Sequence, residues 1–413
     1  MSIPDLTLLA LIGLLGFACQ WLAWRVKLPA ILFLLLTGIL LGPALGVLNP
    51  DALFGDLLTP VISLSVAIIL FEGALTLRRS ELREIGTVVR RLVSYGAVLN
   101  AFIITVATHY LTGLGWSLSA LFGAIMVVTG PTVIVPMLRT VRPNEQLART
   151  LRWEGIVIDP LGALLAVLVF EWIIAQQGGA EFSHVVLVFA STVLTGLGLG
   201  VLAGYCFGLL LRHRQIPPYL HNFSAIALVI TIFAAANALM HESGLLAVTV
   251  MGVWLANMPN VHTRDILNFK ESLTLILVST LFIILSARVD FASLAVLGWG
   301  AVGVLVVMQF VARPAKVFLS TLGSGMSRNE RLLLAWMGPR GIVAAAITAV
   351  FALKLEALAL EDASLLVPLA LSVIIGTVVP RAPPHAGWRV RWTSPNPTTR
   401  AFWWWARTPW PGK

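Results

Sequence analysis

Thirteen candidate apolar spans run through this chain with short polar loops between them, and many hold windows of 18 or more residues, enough to cross a hydrocarbon core of about 30 Å. They lie near 5–24, 29–47, 57–76, 92–112, 117–138, 153–175, 185–211, 223–241, 244–258, 272–287, 292–312, 332–353 and 363–379. The expected fold is therefore an all-α polytopic membrane protein of about 13 transmembrane helices. With 58% hydrophobic and 11% charged residues, a soluble globular domain is excluded. The formal charge of +9 could suggest nucleic acid. The basic residues instead punctuate the apolar stretches, as orientation charges do, so no nucleic-acid partner is expected.

The loops alternate in charge. One set carries Arg25 and Lys27, the group from Arg78 to Arg91, the group from Arg139 to Arg152, Arg212 and Arg214, Arg264 and Lys270, and Arg313, Lys316, Arg328 and Arg331. The other set holds Arg288 and Lys354. Positively charged loops stay on the cytoplasmic side. This places the N-terminus outside and the C-terminus in the cytoplasm of a cell-membrane protein, as an odd number of spans requires.

Two spans in opposite halves are interrupted. The fifth breaks at Thr129-Gly130-Pro131, and the twelfth at Gly338-Pro339-Arg340-Gly341. Proline removes a backbone donor and clashes with the preceding turn, so each helix should unwind there. Matched breaks are where inverted-repeat transporters place their sites, with freed carbonyls such as that of Thr129 available to a cation.

Ionised side chains at bilayer depth cost about 2.5–3.5 kcal/mol on insertion scales, so they mark function. Asp159, followed by Pro160, is the leading candidate. Glu154 lies five residues earlier and so points about 140° away on a helix. Arg340 lies inside a span, and charges in membranes pair, so a Glu154–Arg340 ion pair is expected to join the sixth and twelfth spans. Glu72 is a further carboxylate, either a site member or a snorkelling helix-end charge. Glu171, His109, His184, His241 and Glu242 fall at outer span ends, where solvated or capping roles are expected.

The glycines at 196, 200, 204 and 208 line one helix face and permit close packing, within the bundle or between protomers. Cys19 and Cys206 read as buried small hydrophobes. No nucleotide loop, metal cluster, cofactor motif or nucleophile–base pairing appears, so no enzyme is expected. Beyond residue 379 the chain turns rich in proline and tryptophan. Residues 380–413 read as a short, disordered cytoplasmic tail, or as an end replacing a longer cytoplasmic region.

LPAILFLLLTGILLGP (28–43), LFEGAL (70–75), TGPTVIVPMLR (129–139), EGIVIDP (154–160), ESGLLAVTVMGVWLAN (242–257) and MGPRGIVAAAI (337–347) together resemble the cation/proton antiporters of the NhaP-like branch, over about residues 1–379. The resemblance implies an inverted-repeat fold with two crossed, broken helices, a homodimer, and elevator-like exchange of a monovalent cation for H⁺. It also implies that Asp159 is the shared cation and proton site, assisted by the Thr129 carbonyl and Glu72, with Glu154 and Arg340 as a structural pair. Two positions depart from the family pattern. Gly130 stands where aspartate is common, and Ile158 where asparagine is common. Both changes remove oxygen ligands, so Na⁺ and K⁺ both remain candidates. The rivals are a non-transporting scaffold or sensor and an organic-anion symporter on the same plan.

Overall fold

In a computed structural model the described residues are 4–26, 30–130, 134, 138, 143–178, 182–259, 264–289, 291–338, 340–358, 360 and 362–378. The tail beyond 378, Pro131 and Pro339 lie outside them. All regular structure among the described residues is helical. Seven helices are long and apolar enough to cross a membrane, and five shorter apolar helices accompany them.

The helices sort into two groups that alternate along the chain. The first group contains α1 (Asp5–Val26), α2 (Ala30–Ile39) and α4 (Leu58–Ala74), with the short α3 (Pro50–Phe54) between the last two. The next four helices are α5 (Leu82–Val93), α6 (Tyr95–Thr112), α7 (Trp116–Ile125) and α8 (Glu145–Gly178), and they open the second group. The chain then returns to the first group with α9 (Phe182–Arg212), α10 (His221–Leu239), α11 (Ser243–Asn257) and α12 (Arg264–Ala287). It closes in the second with α13 (Phe291–Val307), α14 (Arg313–Ser320), α15 (Arg328–Trp336), α16 (Ile342–Ala357) and α17 (Leu366–Val378).

The first group is held by small residues at helix crossings. On α9, β-carbons at positions 196, 200, 204 and 208 would each press on α11, for instance within 2.8 Å of Val250 Cβ at Gly200 and 3.0 Å of Trp254 Cβ at Gly204. The glycine face therefore packs inside the chain. Gly38 of α2 and Gly42 of the π-helical turn after it (Leu40–Ala44) do the same against α12. A β-carbon at 42 would lie 2.6 Å from the Ala287 Cα, too close for any side chain. In lipid, where apolar residues gain little by leaving the solvent, such close packing supplies much of the association. Cys19 is buried, its Sγ 3.2 Å from Thr37 Oγ1, whereas Cys206 is on the exposed surface of α9. The α9 face opposite the glycines is exposed along its length, which explains that difference from expectation.

Both interruptions fall in the second group. After α7 the chain is non-helical over Val128–Gly130, and between α15 and α16 it is non-helical at Met337–Gly338 and Arg340–Gly341. The two groups meet where α8 packs against α9 and where α8 and α16 face α4, α11 and α12.

Gly42→Ala is expected to destabilise the chain by about 1–3 kcal/mol, the usual cost of overpacking. Its melting temperature in detergent should fall, while an alanine at Gly13, which has open space around it, should leave it unchanged.

Candidate functional site

A helix that stops inside a bundle leaves its last carbonyls without partners and concentrates partial negative charge there. Both interrupted helices end in this way, and each end meets a buried arginine. Arg340 Nη1 donates to the carbonyls of Val127 (3.1 Å) and Val128 (3.0 Å), just beyond α7. Its backbone N–H donates to Thr377 Oγ1 at 3.3 Å. Arg313 Nη2 donates to the carbonyls of Leu334 (3.2 Å) and Met337 (3.0 Å), at the end of α15. Gly338 follows because nothing larger fits: a β-carbon there would lie 2.5 Å from Arg313 Nε.

The ion pair differs from the expected one. Glu154 is fully buried and binds Arg313 through both carboxylate oxygens, with Nη2 to Oε2 at 2.8 Å. Lys316 Nζ lies 2.7 Å from Glu154 Oε1. Arg340 turns away to the Val127 and Val128 carbonyls. The expected Glu154–Arg340 pair is thus corrected to Glu154 with Arg313 and Lys316. The physical reason is that Arg340 already has a negatively polarised helix end to neutralise. Arg313 and Lys316 looked like loop charges following a span that ended at 312, yet both are buried. A π-helical turn (Met308–Ala312) carries the chain straight into α14, with Pro314 in its first turn. Arg313, Lys316 and Ser320 recur at i, i+3 and i+7, one helix face, and all three are buried. That spacing was the available signal.

Asp159 stands apart from this cluster. It is completely buried, and neither carboxylate oxygen has a hydrogen-bond partner among the described residues. Buried polar groups are normally bonded, so such a carboxylate calls for a functional explanation. Its neighbours on α8 pin it beside the first break. Ile158 packs with Val127, and a β-carbon on Gly162 would collide with the Val128 side chain. Thr129 and Gly130 are buried there too, and the Thr129 hydroxyl likewise has no hydrogen-bond partner among the described residues. Glu72 lies half-buried near the end of α4. Its neighbour Gly73 faces Ile156 of α8, with a β-carbon there 3.4 Å from Ile156 Cγ1. Asp159 and Glu72 therefore sit on either side of the boundary between the two helix groups. No cluster of three or more His, Cys, Asp or Glu suited to a metal occurs among the described residues.

The start of α8 is fixed by a side-chain contact to α15. Asn144 accepts from Leu147 N–H at 2.9 Å and donates to Glu330 Oε1 at 2.5 Å. Glu330 also closes a capping box with Ser327 at the start of α15. Burial pushes the Glu330 carboxyl up, but hydrogen bonds from Ser327 and Asn144 outweigh it and hold the carboxyl below its ordinary range. The two helices bearing Glu154 and the second break are thereby tied together.

The chain matches the family described as sodium/hydrogen exchanger, transmembrane, over residues 7–382. It is 28% identical over 357 residues to the Na(+)/H(+) antiporter 1 of Methanocaldococcus jannaschii, covering 82% of this chain and 81% of that one. It is 27% identical over 323 residues to the K(+)/H(+) antiporter NhaP2 of Shewanella sp. (strain ANA-3), covering 77% of this chain and 55% of that relative. The K(+)/H(+) antiporter NhaP of Alkalimonas amylolytica is 26% identical over 351 residues, 83% of this chain and 60% of its own. The chain thus spans little more than half the length of those two relatives. Among solved structures, the sodium proton antiporter MjNhaP1 from Methanocaldococcus jannaschii at pH 8 superposes with a TM-score of 0.76 at 25% identity, over 90% of this chain and 93% of that one.

Replacing Glu154 by glutamine should strand two buried cations and cost about 3–5 kcal/mol of stability. The check is unfolding by denaturant in detergent, where Arg340→Gln, which leaves Glu154 paired but strands the Val127 and Val128 carbonyls, should also destabilise the chain.

Proposed function

The chain belongs to the sodium/hydrogen exchanger family of transmembrane proteins, and from that premise we propose that it exchanges a monovalent cation, Na⁺ or K⁺, for H⁺ by alternating access, with Asp159 as the shared site. The observation that carries the reading is the contrast between two buried carboxylates on one helix. Glu154 is saturated by Arg313 and Lys316, whereas Asp159 has no hydrogen-bond partner among the described residues and lies on α8 between Ile158 and Gly162, which abut the first break. A carboxylate held in that condition takes up a proton or a cation in turn. Competition between the two passengers then couples the opposed fluxes.

The occupied states neutralise the buried charge and can move through the membrane barrier, while the empty anion is held back. The second helix group, which contains both breaks and α8, slides against the first and carries Asp159 with it. Glu72 on the static side and the Thr129 carbonyl contribute oxygens on the way. With one such site the exchange is one-for-one and electroneutral. The relatives named as Na(+)/H(+) and K(+)/H(+) antiporters support the reaction class. The paired, buried Glu154 and the arginine-capped breaks argue for a working transport core rather than a scaffold that has lost it. The alternation of basic loops supports an N-terminus outside and a C-terminus in the cytoplasm, even with Arg313 and Lys316 removed from the tally. The chain acts as a homodimer in the bilayer, the state usual for the family its motifs resemble.

In proteoliposomes, cation-driven proton movement should be present in the parent and absent in Asp159→Asn, and a screen of Li⁺, Na⁺ and K⁺ should identify the cargo. No net current should accompany turnover. A parent that moves no protons with any of the three ions, or that carries current, contradicts the proposal, and uptake of an organic anion favours the symporter.

A further inference from the structure

The chain crosses from one helix group to the other three times, and the crossing from α4 to α5 is described at every residue. Its first part is held by the first group. Asn257, the last residue of α11, accepts the Arg79 N–H on Oδ1 at 2.7 Å and donates through Nδ2 to the Leu77 carbonyl at 2.9 Å. The same Nδ2 donates to the Val253 carbonyl of its own helix at 2.7 Å. An amide at a helix end ordinarily serves that helix alone, whereas this one also brackets a segment far away in sequence. Behind it, α11 and α4 meet without slack: a β-carbon on Gly252 would lie 2.7 Å from Ala74 Cβ.

Two residues further on, the chain is held by the second group. Glu81 Oε2 accepts from the Trp153 indole Nε1–H at 2.8 Å, and Glu81 Oε1 lies 4.0 Å from Arg149 Nε. Both partners are on α8, and Trp153 adjoins Glu154 of the buried ion cluster. Around this point Ala74, Leu77 and Val253 from the first side meet Ile85, Val89, Trp153 and Ile156 from the second in one apolar cluster. Such side chains can slide past one another without breaking a hydrogen bond. Between the two anchors stand Arg79 and Ser80, both exposed, in a 3₁₀ turn (Arg79–Glu81).

We propose that Arg79 and Ser80 are a hinge between the two helix groups, with the Asn257 amide as its fixed side and Glu81 as its moving side. Hinges are a few loop or element-end residues that absorb changes in φ and ψ. The anchors confine the rotation to this pair: ahead of Arg79 the chain stays with α11, and from Glu81 onward it goes with α8. Because α8 carries Asp159, the angle taken up at Arg79 and Ser80 sets how far the site travels past the first group. The inference rests on the alternating-access reading above.

The test is the distance between spin labels at Tyr110→Cys, near the end of α6, and Leu239→Cys, at the end of α10, in a chain whose Cys19 and Cys206 are replaced by alanine. Both positions are exposed, one in each group, at the end of the bundle away from the hinge. In vesicles the chain with Arg79, Ser80 and Asn257 intact should show two distance populations. Ser80→Pro should collapse them to one and slow exchange by about tenfold, because proline fixes φ at about −65°, a value that a 3₁₀ turn already uses. Asn257→Leu, which removes all three hydrogen bonds of the amide, should instead broaden both populations. A single population in the intact chain, two that persist in Ser80→Pro, or two that stay narrow in Asn257→Leu overturns the hinge. Should Ser80→Pro fail to fold, Asn257→Leu decides. The distances need no turnover, so a chain that shows both populations but exchanges no ion defeats the transport reading and leaves the hinge standing.

Discussion

Two buried guanidiniums closing the carbonyl ends of two interrupted helices are what the rest of this molecule depends on. A helix that ends in mid-membrane exposes unpaired carbonyls where no water can satisfy them, at several kcal/mol for each group. Arg340 takes the end of α7 and Arg313 the end of α15. Each arginine comes from the other side of a break or from the helix preceding one. The breaks are therefore locked to one another within the second helix group, whose irregular backbone is satisfied internally, as the proposed movement of that group requires.

The same arginines set the electrostatics of α8. Arg313 is a fork bound at once to a helix end and to Glu154, and Lys316 adds a second cation to that carboxylate. Glu154 is consumed by structure, which leaves Asp159 as a buried carboxylate without a hydrogen-bond partner among the described residues. Five residues of helix, by pointing the two carboxylates in different directions, separate the paired charge from the one proposed to work. Charge pairing here is a device of position more than of net stabilisation, since buried ion pairs seldom outperform apolar replacements.

Much of this was legible in the chain. Apolar stretches of membrane length gave the helical class, and Gly130 and Gly338 marked the breaks, because glycine and proline interrupt a helix wherever they fall. Asp159 was legible for the opposite reason, as a charge with no business in hydrocarbon. The partner of Glu154 was not. Arg313 and Lys316 follow an apolar run and precede other basic residues, so a rule that counts cations near span ends assigns them to a loop. Only a helix continued through the π turn to Ser320 reveals their shared inward face. The glycine ridge of α9 declared close packing but not its partner, because a small-residue stripe specifies distance of approach and carries no address.

The account stands on one carboxylate that holds a proton or a cation, never both. Its most direct test is proton release measured with a pH indicator as the detergent-solubilised protein binds its cation. The account predicts one proton set free for each cation bound, with both events absent in Asp159→Asn. Cation binding that liberates no proton, or proton release that persists in that variant, would contradict it.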